Sequence, residues 1–376
     1  ATATFTDDVT ATNQTLTIVG GAGHASSNGD GGAAKVEFIA SGTFSTTTGV
    51  VLDDGAAGNA TAGGAVLEFD AAAAETFTGT ITAQADGEGT INVQNSNGTG
   101  LTIASQIGTT SVRVATLNVL DGAATTGVFS SDVFVDDINV DSTNAASTAD
   151  FNGDVSATTI DVGDGASGNI ATAKFNADVT AAINLTDASG GDDALLVFDA
   201  ASAQTVTGII DGAATNSGNI QVSNNTGDGV TFKSNITDTH NIILDASTVS
   251  TYEGTVGTND INAADLVNVT LHKAVVAVGT ITLTNSTNST ITIGAGQTYG
   301  SASSASTDMI TAADVVVTNT TGTQDINVYL PSDFQSGHLV LFQDSDSTGI
   351  SAGELAAVVP QDTALIDYAA VDGGAA

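Results

Sequence analysis

Residues 69–103, FDAAAAETFTGTITAQADGEGTINVQNSNGTGLTI, decide the fold, because residues 198–232, FDAASAQTVTGIIDGAATNSGNIQVSNNTGDGVTF, repeat them 129 positions later without a gap. Of the 35 positions, 17 are identical. The match keeps the phase of strand and turn. Phe69/Phe198, Asp70/Asp199, Ile81/Ile210, Ile91/Ile220 and Val93/Val222 align together with the corners Gly79/Gly208, Gly89/Gly218, Asn95/Asn224 and Gly98/Gly227. Biased composition would give chance identities but would not preserve that phase. Inside each copy apolar residues alternate over short runs, as in Ile91/Val93, Leu101/Ile103, Ile220/Val222 and Val230/Phe232. A period of two marks half-buried strands.

The same texture extends outward. Val112/Val114, Ile160/Val162 and Ile281/Leu283 alternate, while Asp53-Asp54-Gly55, Asp121-Gly122, Gly163-Asp164-Gly165, Asp211-Gly212 and Gly227-Asp228-Gly229 read as turns. A looser echo joins Phe5 to Val9 with Phe151 to Val155, and Ala34-Lys35 with Ala173-Lys174. Variable spacing between matching pieces is what loops tolerate and strand registers do not. Repeated short β units predict an all-β chain folded as a β-solenoid, parallel β-helix-like, whose coils bury their inward residues against their neighbours. Tandem β-sandwiches that keep the duplication are the alternative. At ~20–25 residues per coil and ~4.8 Å between stacked strands, the solenoid reading expects a rod ~70–90 Å long.

The expected organisation is a repetitive solenoid over 1–330 and a C-terminal capping segment over 331–376. Three related stretches begin at Ile261-Asn262-Ala263-Ala264-Asp265, Ile310-Thr311-Ala312-Ala313-Asp314 and Ile350-Ser351-Ala352-Gly353-Glu354, each with a capping residue three positions before an acid. The first two are followed by β-branched residues and are expected to be turns entering strands. The third precedes an expected short helix, Leu355 to Val359, stopped by Pro360.

Composition narrows the function. The 376 residues carry a formal charge of −37 from 42 acidic and 5 basic side chains, with 41% hydrophobic residues, enough to bury a core. Of the acids only six are Glu, and Asp is the residue of turns, where its short carboxylate meets nearby backbone N–H groups. Five scattered cations argue against nucleic-acid binding, which needs a basic face. Cysteine is absent, so disulfides and thiolate metal sites are excluded. No apolar run approaches the ~20 residues of a membrane-spanning helix. The start on Ala1-Thr2-Ala3-Thr4-Phe5, without Met or signal peptide, reads as a processed product.

Calcium is the expected cofactor, since hard cations want clustered oxygen ligands and repulsion among 37 net negative charges favours divalent counter-ions. The candidate ligands are Asp7 and Asp8, Asp53 and Asp54, Asp136 and Asp137, Asp164, and Asp192 and Asp193. Adjacent aspartates on one strand point to opposite faces, so useful pairs must form in turns or between coils. No catalytic residue is assigned. The cations Lys35, Arg113, Lys174, Lys233 and Lys273 and the histidines His24, His240, His272 and His338 are dispersed, and no nucleophile elbow or phosphate loop is present. Asn-x-Ser/Thr sequons at Asn13, Asn59, Asn97, Asn184, Asn285 and Asn288 are numerous enough to arise by composition.

The stretch from Phe151-Asn152-Gly153-Asp154-Val155 to Thr159-Ile160, with the following Gly163-Asp164-Gly165, resembles repeats in surface autotransporter passengers. The type it is most similar to is the rickettsial outer membrane protein B kind, with related proteins of marine Alphaproteobacteria. Leu339-Val340-Leu341-Phe342-Gln343-Asp344 through Asp362 to Tyr368 resembles the region preceding the translocator barrel in such proteins. The resemblance implies a secreted passenger displayed at the cell surface. The expected function is therefore an extracellular structural protein that self-assembles into a surface layer or filament, partnered by its own copies and by surface glycans. A monomeric adhesin and a β-helix polysaccharide-degrading enzyme are the other readings.

Overall fold

The structure is a computed structural model. It describes residues 1–293 except 12–13, 21–32, 40–42, 47, 56–63, 71–73, 95–99, 121–123, 164–167, 188–192, 215–216, 265–266, 274 and 286–288; beyond these it describes five strands between residues 310 and 360. The described residues are all-β, with no helix, and their strands stack in parallel as a β-solenoid. The chain divides into two compact units, 1–196 and 197–376.

In the first unit the chain visits three faces in turn. Thr2–Phe5, Ala34–Phe38, Ala65–Phe69, Glu88–Val93 and Val114–Val119 stack on the first face, continued by the second halves of Val133–Val140, Val155–Val162 and Val179–Leu185. Val9–Ala11, Thr43–Thr46, Glu75–Thr78, Leu101–Ile103, Thr125–Phe129, Ser147–Phe151 and Ala171–Phe175 form the second. Leu16–Val19, Val50–Asp53 and Ile81–Ala83 form the third, extended by the Ile81/Ile107/Val133 bridges and by Val155 and Val179. Register partners Thr2, Lys35, Val66, Thr90, Thr116, Asp137, Thr159 and Ala182 mark successive rungs. The first two rungs, Thr2 to Lys35 and Lys35 to Val66, are longer than the expected 20–25 residues.

Alternation explains why these residues become rungs. The strands Thr125–Phe129, Ser147–Phe151 and Ala171–Phe175 bury every second side chain and expose the others in part. Inward rows become columns of like residues, since parallel in-register pairing sets each side chain over its counterpart one rung away. Phe129, Phe151 and Phe175 are such a column, their rings stacked at 4.8 Å and 5.4 Å. Phe5, Phe38 and Phe69 form another on the first face, at 5.1 Å and 5.7 Å. Corners are tight. At Gly108 φ is +63° and an added Cβ would lie 2.1 Å from the carbonyl oxygen of Phe134 in the next rung, so only glycine fits.

The second unit repeats the design. Asn219–Val222 pairs in parallel with the end of Ile236–Leu244, then with Val256–Ala263, Thr280–Asn285 and Asp314–Asn319. Gln204–Thr207, Val230–Phe232, Val249–Tyr252, Asn268–Leu271, Ser289–Ile293, Ile326–Tyr329 and Val358–Pro360 make a second stack. Ile210–Gly212, the starts of Ile236–Leu244 and Val256–Ala263, Val275–Ala277, Ile310–Ala312 and Phe342–Asp344 make the third.

Two local expectations change. Ile261 to Ala263 ends a strand and Ile310–Ala312 is one, so the opening residues of both stretches are strand instead of turn, while the strands expected after them, Asn268–Leu271 and Asp314–Asn319, are present. Of the helix expected over Leu355 to Val359, residues 355–357 lie outside the described residues. Val358 and Val359 belong to a strand parallel to Ile326–Tyr329, where β-branched side chains fit a stacked sheet better than a helix.

Candidate functional site

Among the described residues an extended outward polar column runs along the first face of the first unit. Thr4, Glu37, Glu68, Asn92, Asn118, Asn139, Asp161 and Asn184 are register partners, one per rung. The Thr4 hydroxyl donates to Glu37 at 2.9 Å and the Asn92 amide to Glu68 at 3.3 Å. Asn118 donates to Asn92 at 2.9 Å, Asn139 to Asn118 at 2.8 Å, and Asn184 to Asp161 at 2.7 Å. An amide has a donor and an acceptor on one plane, so a stack of Asn can pass hydrogen bonds along the coil axis. The second unit holds a shorter version, Asn241 donating to Asn219 at 3.0 Å.

The acidic end of this column contains the one group of three carboxylates that converge among the described residues, Glu37, Glu68 and Asp70. It already holds a cation. The Lys35 ammonium binds Glu68 and lies 3.2 Å from Glu37. Partial burial pulls the Lys35 pKa down, but the hydrogen bonds to Glu68 and Glu37 outweigh it and raise it above the ordinary value. Hydrogen bonds from Thr4 and Lys35 hold Glu37 below the usual carboxylate range. Burial and the charges of Glu68 and Glu37 push Asp70 up. The arrangement is that of a satisfied ion pair with surrounding acids.

Among the described residues, the aspartates expected to bind calcium are not part of a group of three converging carboxylates. Asp7 and Asp8 are exposed at a turn. Asp53 accepts the N–H of Gly55 at 2.7 Å. Asp54 accepts those of Ala65 at 2.7 Å and Gly89 at 3.3 Å, tying together three rungs. Asp137 accepts the Thr159 hydroxyl, while burial and the charges of Asp86 and Asp137 push Asp136 up against the opposing Arg113. Asp193 accepts the N–H of Gly168 at 3.3 Å. Asp164 and Asp192 lie outside the described residues.

Many corner aspartates share this role. Asp86 accepts the N–H of Arg113 at 2.8 Å, Asp132 that of Asp154 at 3.1 Å, Asp154 that of Asp178 at 3.2 Å, and Asp260 that of Thr280 at 2.6 Å. Each carboxylate caps a backbone donor one rung away. The short side chain of Asp suits that reach at these corners. Sequence reasoning placed these residues in turns but missed that their partners are in the next rung; that signal needs the register.

Arg113 is used structurally, donating to Ser156 at 2.9 Å and to the carbonyl of Val135 at 3.4 Å. Lys233 pairs with Glu253 at 2.6 Å. His24 and His338 lie outside the described residues, and His240 and His272 occupy different rungs. Inside the second unit an apolar cavity of about 60 Å³ is lined by Leu244, Tyr252, Leu271, Ile281 and Ile291 among others. No family model, curated protein or solved structure matches this chain.

Proposed function

We propose that the chain is an extracellular structural protein whose stacked rungs build a layer or filament at the cell surface. One observation carries the reading: the outward polar side chains on the first face stand in register from Thr4 to Asn184, and five of the seven steps between them carry a side-chain hydrogen bond from one rung to the next. Side chains used this way stiffen a repeating wall, in the manner expected of a molecule whose work is mechanical. The acids act likewise, as corner latches between coils. Sequence resemblance of residues 151–165 to surface passenger repeats points in the same direction.

Divalent cations enter this reading as counter-ions for the charge of −37, with calcium bridging acidic faces of neighbouring copies. The test is electron microscopy of purified protein with millimolar calcium and with excess chelator. Lattices or fibres that dissolve in chelator support the proposal whole. Assemblies indifferent to chelator remove calcium from it. Dispersed single particles under both conditions overturn self-assembly and favour the adhesin, which glycan-array binding would then identify. Cleavage of uronic-acid polymers would replace both with the enzyme.

A further inference from the structure

Glu75 opens the strand Glu75–Thr78, and alternation turns its side chain into the lumen of the first unit beside Phe77. The residue is 4% exposed, and its Oε2 meets no hydrogen-bond donor. The strands on either side, Thr43–Thr46 and Leu101–Ile103, carry no ionisable side chain. Across the lumen the ring of Phe69 meets that of Phe77 edge-on. The one acid of that Phe69 strand, Glu68, is directed to Lys35 and Asn92 on the outer face. Glu88 accepts the N–H of Ala85, and Asp53 and Asp54 accept those of Gly55, Ala65 and Gly89. The neighbouring stretches 71–74 and 95–99 contain no titratable residue. Nothing on these elements compensates a charge at Glu75.

The duplication supplies an internal comparison. Position 204 corresponds to position 75, and it is Gln204, 1% exposed. The backbone N–H of Glu75 donates to Gly100 at 3.2 Å, and that of Gln204 donates to Gly229 at 2.9 Å. Leu101 lies one rung from Glu75, and Val230 one rung from Gln204. The fold builds the same inward position twice, once with an amide that never ionises and once with the acid of the same shape.

We propose that Glu75 is a proton-held latch: a neutral carboxylic acid that holds the rungs around 75–78 and 101–103 closed most firmly in acid and ever less firmly as pH rises, because opening these rungs lets its proton go. Burial in apolar surroundings disfavours the charged form and pushes its pKa up to about 8. The unfolded chain titrates near ~4.3, so the native state binds the proton more tightly. Its contribution is complete below the unfolded pKa and is lost as pH rises toward 8. Between these limits the native state holds one extra proton, and the folding equilibrium of this region falls about tenfold per pH unit.

The experiment is amide hydrogen exchange on the full chain from pH 5 to 9, corrected for the intrinsic pH dependence of exchange, on wild type and Glu75→Gln. Protection of 75–78 and 101–103 is expected to fall about tenfold per unit from pH 5 to 8 in wild type and to stay level in the variant. The equivalent amides 204–207 and 230–232 stay level in both. Parallel behaviour of wild type and variant overturns the proposal. Should the variant not fold, carboxyl-carbon NMR of wild type labelled at its six glutamates decides alone. A Glu75 signal still protonated at pH 7 sustains the latch, and one ionised at pH 6 removes it.

Discussion

Phe151→Ala puts the packing argument to its hardest test. Phe151 has no exposed surface and stands mid-column, its ring stacked on Phe129 at 4.8 Å and 15° and on Phe175 at 5.4 Å and 9°. Truncating a buried phenylalanine costs about 3–5 kcal/mol through lost transfer energy and the cavity left behind. Each ring pair accounts for about 0.5–1.5 kcal/mol beyond area burial, so the two stacked contacts place Phe151 toward the upper end. Phe5 provides the contrast: it is half-buried and, among the described residues, stacks on Phe38 at 5.1 Å, and Phe5→Ala is expected to cost less than half as much. The chain has no tryptophan, so urea unfolding is followed by far-ultraviolet circular dichroism. The double variant Phe129→Ala/Phe151→Ala should show a coupling of about 0.5–1.5 kcal/mol, whereas Phe5→Ala/Phe151→Ala should be additive. A loss below about 1 kcal/mol for Phe151→Ala, or equal losses at Phe5 and Phe151, would refute the columnar core.

Other consequences follow from the corners and the outer column. Asn118→Leu removes one bond given to Asn92 and one received from Asn139, and should cost about 1–3 kcal/mol by urea titration; a neutral result would deny the column any stabilising role. Gly108→Ala should destabilise far more than Gly168→Ala, because both have positive φ but only at Gly108 would the new Cβ strike backbone, with nothing within 4 Å at Gly168. Thermal midpoints that are equal for the two would contradict this. Raising sodium chloride from about 10 to 500 mM should raise the midpoint of the wild type, since a net charge of −37 repels itself less when the Debye length shrinks; a flat or falling midpoint would show that the acids are individually neutralised.

The stacking itself was legible in the sequence. The 129-residue repeat aligns Gly79 with Gly208 and Phe69 with Phe198, and the structure gives these pairs the same bonds. Gly79 and Gly208 donate to Ser105 and Ser234, and the carbonyls of Phe69 and Phe198 accept from Gln94 and Ser223. Alternation at Ile91/Val93 and Leu101/Ile103 named inward residues correctly, because period two alone fixes which side of a strand faces the lumen. The Asn92, Asn118 and Asn139 column was not legible. Its members are 26 and 21 residues apart, and unequal rungs hide a column from any fixed period. The partners of the corner aspartates were hidden for a related reason. The partner of a corner aspartate such as Asp132 is a backbone N–H one rung away, which no local spacing displays. Glu75 gave a sequence signal that alternation could have exposed, an acid in phase with Phe77 and facing Gln204 in the repeat alignment.

The parallel in-register rung is tested most directly by engineered disulfides, which a chain without cysteine permits cleanly. Thr148 and Thr172 are partners on the outer side of adjacent rungs, and strands ~4.8 Å apart lie within disulfide reach. Thr148→Cys/Thr172→Cys is expected to form an intramolecular bond quickly and nearly completely under mild oxidation, while Thr148→Cys/Ala173→Cys, whose second side chain faces the lumen, is not. Equal cross-linking of the two pairs, or none in the first, would contradict the stacked solenoid on which everything else here depends.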